Sequence, residues 1–122
     1  TLSLLTARTP CLRQRRRSAL LVVANWPAPR QEQWRALLPA RAIENQCWLA
    51  AVNIVGEDGA GKAYRGGTTV IDCLGQRHGE LLESPGVLLG TFSAAQLAAQ
   101  RAAFPVAQDA DEFELGSPRL QP

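Results

Sequence analysis

The sequence predicts an α/β layer structure, a mixed sheet with helices on one side, and three observations carry that prediction. A short Val- and Leu-rich run stops at a proline-rich turn; a helix-period pattern follows it; a second apolar run then begins with almost no loop between. Further along, an alanine-rich stretch preceded by serine and followed by proline reads as another helix. The chain of 122 residues is about one domain, long enough for a real core. At 46% hydrophobic and 20% charged, it has the composition of a soluble globular protein and not of a disordered segment.

Residues 19–25, "ALLVVAN", are a continuous apolar run, which predicts a strand covered on both faces. The run ends at Asn25 and Trp26, and Pro27 and Pro29 follow. Prolines cannot join an ordinary ladder and push the residues before them into extended conformations, so the tip is stiff, a good place for a site. From residue 30 to 46, Trp34, Leu37, Leu38, Ala42 and Ile43 recur at steps of three and four, the period of an amphipathic helix. Pro39 falls inside it. An internal proline costs about 3 kcal/mol, so a kink or break near Leu38 is expected.

Residues 47–56, "CWLAAVNIVG", read as a second strand. Strand, helix and strand in this order make a crossover unit with neighbouring parallel or near-parallel strands. Residues 57–67 are a glycine-rich connection that lacks the Gly-Lys-Ser/Thr ending of a phosphate loop, so nucleotide binding is not expected. Residues 68–72 predict a strand, with a turn at Leu74 and Gly75. "ELLES" and "GVLLGTF" are expected to carry the sheet onward on either side of the Ser84-Pro85-Gly86 turn. Ser93 can cap the alanine-rich helix, and Pro105 follows its end. The acidic, then proline-rich tail is expected to wrap over a neighbour.

Charge and cysteine usage exclude several classes. Four arginines lie within residues 13–17, but no aromatics are interleaved with them, so they read as a solvated face or tail and not as a nucleic-acid site. The net charge of +2 adds no reason for a polyanion partner. There is no apolar stretch of about 18 residues, hence no membrane span, and no secretory leader pattern. Cys11, Cys47 and Cys73 have no CxxC spacing and leave one unpaired, which fits a reducing cytoplasm. His78, the one histidine, lies in the polar, turn-like "GQRHGE" without a ligand cluster, so neither metal nor cofactor is expected.

Several stretches together, "LLVVANWPAPR", "W..LL.ARAIENQ", "NIVGEDG", "GGTTVIDCLG" and "FPVAQDADEFEL", resemble the C-terminal half of the nitrilase superfamily, the carbon-nitrogen hydrolases, in its omega-amidase branch. Their order and spacing agree over roughly residues 8–115. The resemblance implies an α+β fold, part of a four-layer αββα sandwich. It also implies hydrolysis of a small-molecule amide to acid and ammonia by a Glu, Lys and Cys triad. In that scheme the thiolate attacks the carbonyl, the glutamate moves the proton and the lysine stabilises the oxyanion. Under this resemblance Asn25 and Trp26 wall the substrate pocket, with Trp26 as a rigid apolar surface and Asn25 as a positioned amide.

Bland readings stand beside these. Trp26 can be a packing residue that seals the sheet end. Glu44 resembles the family's pocket-facing acid region, yet a helix-end glutamate paired to Arg41 explains it equally well. Asn53 most simply caps or pins a turn before Gly56. Trp34 and Trp48 read as core.

The departures from the family pattern bear on activity. Aligning Arg8 and Pro10 with the end of the family's nucleophile motif places Leu4 where the cysteine belongs. Leucine has no nucleophilic atom. The triad's glutamate and lysine belong to an N-terminal half that this sequence does not contain, and Cys11 would need a base and oxyanion donors of its own. Pro39 stands where the family usually has arginine, and Cys73 where it usually has proline. The expected organisation is a degenerate or out-of-frame segment at 1–18, the hydrolase domain's C-terminal part at 19–115 and a tail at 116–122. Two functions follow as expectations. One is a truncated, inactive omega-amidase-like hydrolase; the other is a non-catalytic domain that self-associates through an uncovered sheet face.

Overall fold

The computed structural model describes residues 17–109. Strand β1 (Ala19–Ala24) and strand β2 (Trp48–Asn53) lie parallel, in register from Ala19 beside Trp48 to Ala24 beside Asn53. Helix α1 (Gln31–Glu44) links them, as the strand-helix-strand pattern predicts. Beyond β2 the chain makes a small antiparallel hairpin, β3 (Val55–Glu57) with β4 (Ala63–Arg65). It then returns as β5 (Thr68–Ile71), antiparallel to β2, and β6 (Arg77–Leu81), antiparallel to β5. The main sheet therefore runs β1-β2-β5-β6, and helix α2 (Ala94–Ala103) closes the described chain with a short 3-10 turn, Val106–Asp109, after it.

The core is two clusters, one on each sheet face. Val22, Leu49, Ala51 and Ile71 meet Trp34, Leu38 and Ala42 of α1 on the first face. Fully burying a side chain such as Leu38 or Leu49 contributes about 1.5–3 kcal/mol, so this stripe holds α1 on the sheet. On the second face, Trp48, Val70 and Cys73 meet Leu97 of α2. Trp34 and Trp48 are core, as the sequence indicates.

Several expectations need correction. The helices do not share one side of the sheet; α1 and α2 lie on opposite faces. Strand β1 is not covered on both faces: Leu21 and Val23 are 71% and 77% exposed. They share the second face with Val52, itself 50% exposed, at the end of the sheet that α2 does not reach. The glycine-rich connection is not a plain loop but contains the β3-β4 hairpin. His78 sits on β6 and not in a turn, and the chain from Val87 to Phe92 adds no strand.

The expected break at Pro39 does not occur; α1 runs unbroken across it. A proline at position 39 leaves the carbonyl four residues earlier, that of Arg35, without its helical donor. The Arg77 guanidinium of β6 supplies one instead, donating to the Arg35 carbonyl at 2.7 Å. At the other end of the chain Ser93 caps α2 as predicted, its hydroxyl accepting from the Gln96 N–H at 3.1 Å.

Candidate active-site wall

Strands β1 and β2 end side by side, and everything at this end of the sheet is tied to one residue. Asn53, the last of β2, is 4% exposed, and its amide bridges three backbone groups. The Oδ1 atom accepts from the Trp26 N–H at 2.7 Å, while Nδ2 donates to the Trp26 carbonyl at 3.1 Å and to the Gly66 carbonyl at 2.8 Å. Thr68 locks the other side of Asn53, accepting from its N–H at 3.2 Å and donating to its carbonyl at 3.3 Å. A buried amide with both ends used fixes the positions of what it touches. The Asn25-Trp26-Pro27 tip is thus clamped to the loop at Gly66 and Gly67.

That loop has to be glycine. Gly66 and Gly67 have φ of +65° and +84°, a region where a side chain is strained. A Cβ at Gly66 would collide with the Leu82 carbonyl, and one at Gly67 would press on Gln31 and Trp34. The close approach lets Trp34 donate its indole N–H to the Gly67 carbonyl at 2.8 Å from inside the core.

Trp26 is half-buried, its ring 5.8 Å from that of Trp34 and packed on the first-face core. Its indole N–H donates to the Arg30 carbonyl, within its own turn. Trp26 thus packs on the core and its one polar side-chain atom is used within the turn. Asn25 is exposed at the tip. Glu44 is not brought together with them. It lies at the far end of α1, paired to Arg41 at 2.8 Å, beside the start of β2. The six residues of β2 separate it from the tip by about 17 Å at the usual strand rise.

Sequence reasoning assigned Asn53 to a turn and missed its long-range role. The available signal was a lone asparagine ending an apolar strand, with a Gly-Gly pair downstream, but its partners are 13 and 27 residues away.

A second polar cluster stands at the far end of β5. Asp72 is fully buried and accepts at Oδ1 from the N–H groups of Leu74 and Gln76, both at 2.9 Å. Its Oδ2 meets His78 Nε2 at 2.8 Å and accepts from Gln96 of α2 at 3.3 Å. Burial pushes the carboxyl up, but His78 and the two N–H groups outweigh it and hold it below the ordinary carboxylate range. The His78 ring lies 5.2 Å from Trp48, which stacks on Phe92 at 5.3 Å. This arrangement locks the β5-β6 turn to α2.

Neither thiol in the described chain suits nucleophilic work. Cys47 and Cys73 are both buried and free. Desolvation pushes Cys47 up to about 11, the nearby Arg101 notwithstanding, and raises Cys73 as well. Both are neutral thiols at ordinary pH, whereas the thiolate is the nucleophile. Leu4 and Cys11 lie outside the described residues. Among the described residues no group of three or more His, Cys, Asp or Glu side chains could hold a metal ion, and no helix is long and apolar enough to cross a membrane.

The family model for carbon-nitrogen hydrolases matches residues 12–102. The chain belongs to the carbon-nitrogen hydrolase family. Among the curated carbon-nitrogen hydrolases it resembles Omega-amidase YafV of Escherichia coli K12, at 48% identity over 100 residues. It is also similar to the 2-oxoglutaramate amidase of Bacillus subtilis strain 168, at 35% identity over 92 residues. These matches cover 78% and 75% of this chain but only 38% and 35% of the relatives, so the chain spans less than two fifths of their length. A crystal structure of a CN-hydrolase superfamily protein from Xanthomonas campestris superposes with a TM-score of 0.77 at 52% identity, over 81% of this chain and 37% of that one. Saccharomyces cerevisiae Nit3, 19% identical with a TM-score of 0.65 over 72% of this chain and 33% of its own, shares the fold. The α+β fold is thus part of the nitrilase-type architecture.

Proposed function

We propose that this chain carries the C-terminal part of an omega-amidase-type carbon-nitrogen hydrolase, which converts a small-molecule amide to an acid and ammonia. The observation that supports this most is the 48% identity to Omega-amidase YafV across the segment that builds the clamped tip. In this reading Asn25 and the outer edge of Trp26 form one wall of the amide pocket, and Asn53 holds that wall still. Pre-positioned walls of this kind supply orientation, the entropic part of catalysis. Glu44 contributes as the clamp of the α1 end through Arg41, and no metal or cofactor takes part.

The chain by itself is proposed to be inactive. Leu4 occupies the position that the family resemblance assigns to the nucleophile, and the two buried thiols are protonated. Two measurements test the pair of statements. Purified chain should release no ammonia from a small omega-amide. A chimera in which the matching segment of the Escherichia coli enzyme is replaced by that of this chain should keep turnover within about tenfold of the parent, which is about 1.4 kcal/mol of barrier. Turnover by the isolated chain would refute the inactivity; a folded but dead chimera would refute the pocket wall.

A second reading, a non-catalytic association domain, is favoured by one observation: among the described residues nothing covers the apolar face of Leu21, Val23 and Val52 or pairs with the outer edge of β1. A dead but folded chimera together with stable self-association would select it.

A further inference from the structure

At the end of β5 away from the tip, one reactive atom is left unused. His78 Nε2 meets the Asp72 carboxylate at 2.8 Å; Asp72 is fully buried, whereas the His78 side chain is 42% exposed. The ring is therefore anchored through Nε2 and open to solvent elsewhere. Among the described residues its second nitrogen, Nδ1, makes no hydrogen bond.

The surroundings of the pair set its chemistry. Asp72 also accepts from the Leu74 and Gln76 N–H groups and from the Gln96 amide, so the carboxylate is fixed in place. It is held below the ordinary carboxylate range and is ionised wherever the imidazole is neutral. An ionised carboxylate only accepts, which puts the neutral ring in the Nε2–H tautomer with its lone pair on Nδ1. Bond formation at Nδ1 makes the ring positive, and the carboxylate beside Nε2 stabilises that charge, so the imidazole is a stronger nucleophile than an unsupported one. An aromatic surface lies alongside. The buried Trp48 carries the His78 ring at 5.2 Å and the Phe92 ring at 5.3 Å, and Phe92 is 38% exposed.

We propose that His78 is the nucleophile of an esterase-type site that takes activated acyl esters with an aryl leaving group, and that Asp72 is its positioning residue. Nδ1 attacks the ester carbonyl; the N–C bond forms, the C–O bond to the leaving group breaks, and the aryloxide departs with the electron pair. Asp72 holds the acyl-imidazolium through Nε2–H. Water then attacks the acyl carbon, the N–C bond breaks with its electrons returning to Nδ1, and the carboxylic acid leaves and gives its proton to solvent. Imidazole displaces an aryloxide but not the far more basic nitrogen of an amide, so this chemistry stands apart from the amidase reading.

The test uses the 122-residue chain, in which His78 is the only histidine, carrying Cys11→Ser so that this thiol adds nothing. The probe is para-nitrophenyl acetate, and N-acetylhistidine at equal concentration is the reference. The chain should release nitrophenolate about tenfold faster than the reference or more, and His78→Gln should remove that excess. Asp72→Asn should lower the rate by about tenfold. NMR of the ring nitrogens gives a reading that needs no variant to fold: in the neutral ring of the parent, Nε2 is protonated and Nδ1 bare. In Asp72→Asn the two tautomers should mix, which a merely structural role for the carboxylate would not produce. A rate no higher than the reference, a His78→Gln chain as fast as the parent, or an Nδ1–H tautomer in the parent would each overturn the proposal. Ammonia release plays no part in these readings, so failure here is separable from failure of the amidase assignment.

Discussion

Asn53 does the most with the fewest atoms. Its amide satisfies the Trp26 N–H and two carbonyls at once, so Asn53→Ala leaves both Trp26 backbone groups without this partner and the Gly66 carbonyl with only the Gln31 amide, at 3.4 Å. The expected loss is about 2–4 kcal/mol, read as a lower urea midpoint with the slope unchanged. Asp72 makes a prediction about pH. Its folded carboxyl titrates below the ordinary range, so the stability it contributes is fully present above the unfolded value of about 3.9 and is lost as pH falls through the lower, folded one. The acid limb of the stability curve below about pH 4 should therefore be steeper in the parent than in Asp72→Asn. Equal limbs would show that the His78 and backbone hydrogen bonds do not stabilise the ionised form.

At the scale of elements, α1 carries a defect that β6 repairs. Arg77 donates to the carbonyl that Pro39 leaves unpaired, which is why the helix passes a residue expected to break it. Restoring the N–H with Pro39→Ala should raise stability by about 1–3 kcal/mol, measurable as a higher melting temperature. Arg77→Ala should cost less, about 1 kcal/mol, because water can reach the Arg35 carbonyl on the exposed side of the helix. If Arg77→Ala costs nothing in the parent yet Pro39→Ala still stabilises, the guanidinium is not the repair. Helix α2 is simpler: its start was legible in the sequence, since a serine cap is local, and Ser93→Ala should cost about 1 kcal/mol.

At the scale of the whole molecule, one half of the second sheet face has nothing on it among the described residues. Leu21, Val23 and Val52 form an apolar surface next to a strand edge that carries no charged residue, the arrangement that invites pairing with another chain. Light scattering at micromolar concentration should find the chain associated. Leu21→Lys with Val23→Lys should return it to a monomer, since charges on the face and edge oppose association. A parent that is a clean monomer with a single cooperative melt would remove this surface from consideration. The matched relatives are more than twice as long as this chain.

By itself the sequence determined what depends on neighbours along the chain. Periodicity placed α1, a serine cap, alanine content and a following proline placed α2, apolar runs placed β1, β2 and β5, and the ordered motifs around Asn25, Glu44 and Gly66 pointed to the carbon-nitrogen hydrolases. Tertiary structure alone decided which partners meet. It set Asn53 against Trp26 across 27 residues and Arg77 against Arg35 across 42, separated Glu44 from the tip, and put α1 and α2 on opposite faces. The physical reason is that hydrophobic pattern is written in local spacing, whereas a hydrogen bond between distant groups exists only once strand register and packing have brought donor and acceptor within about 3 Å.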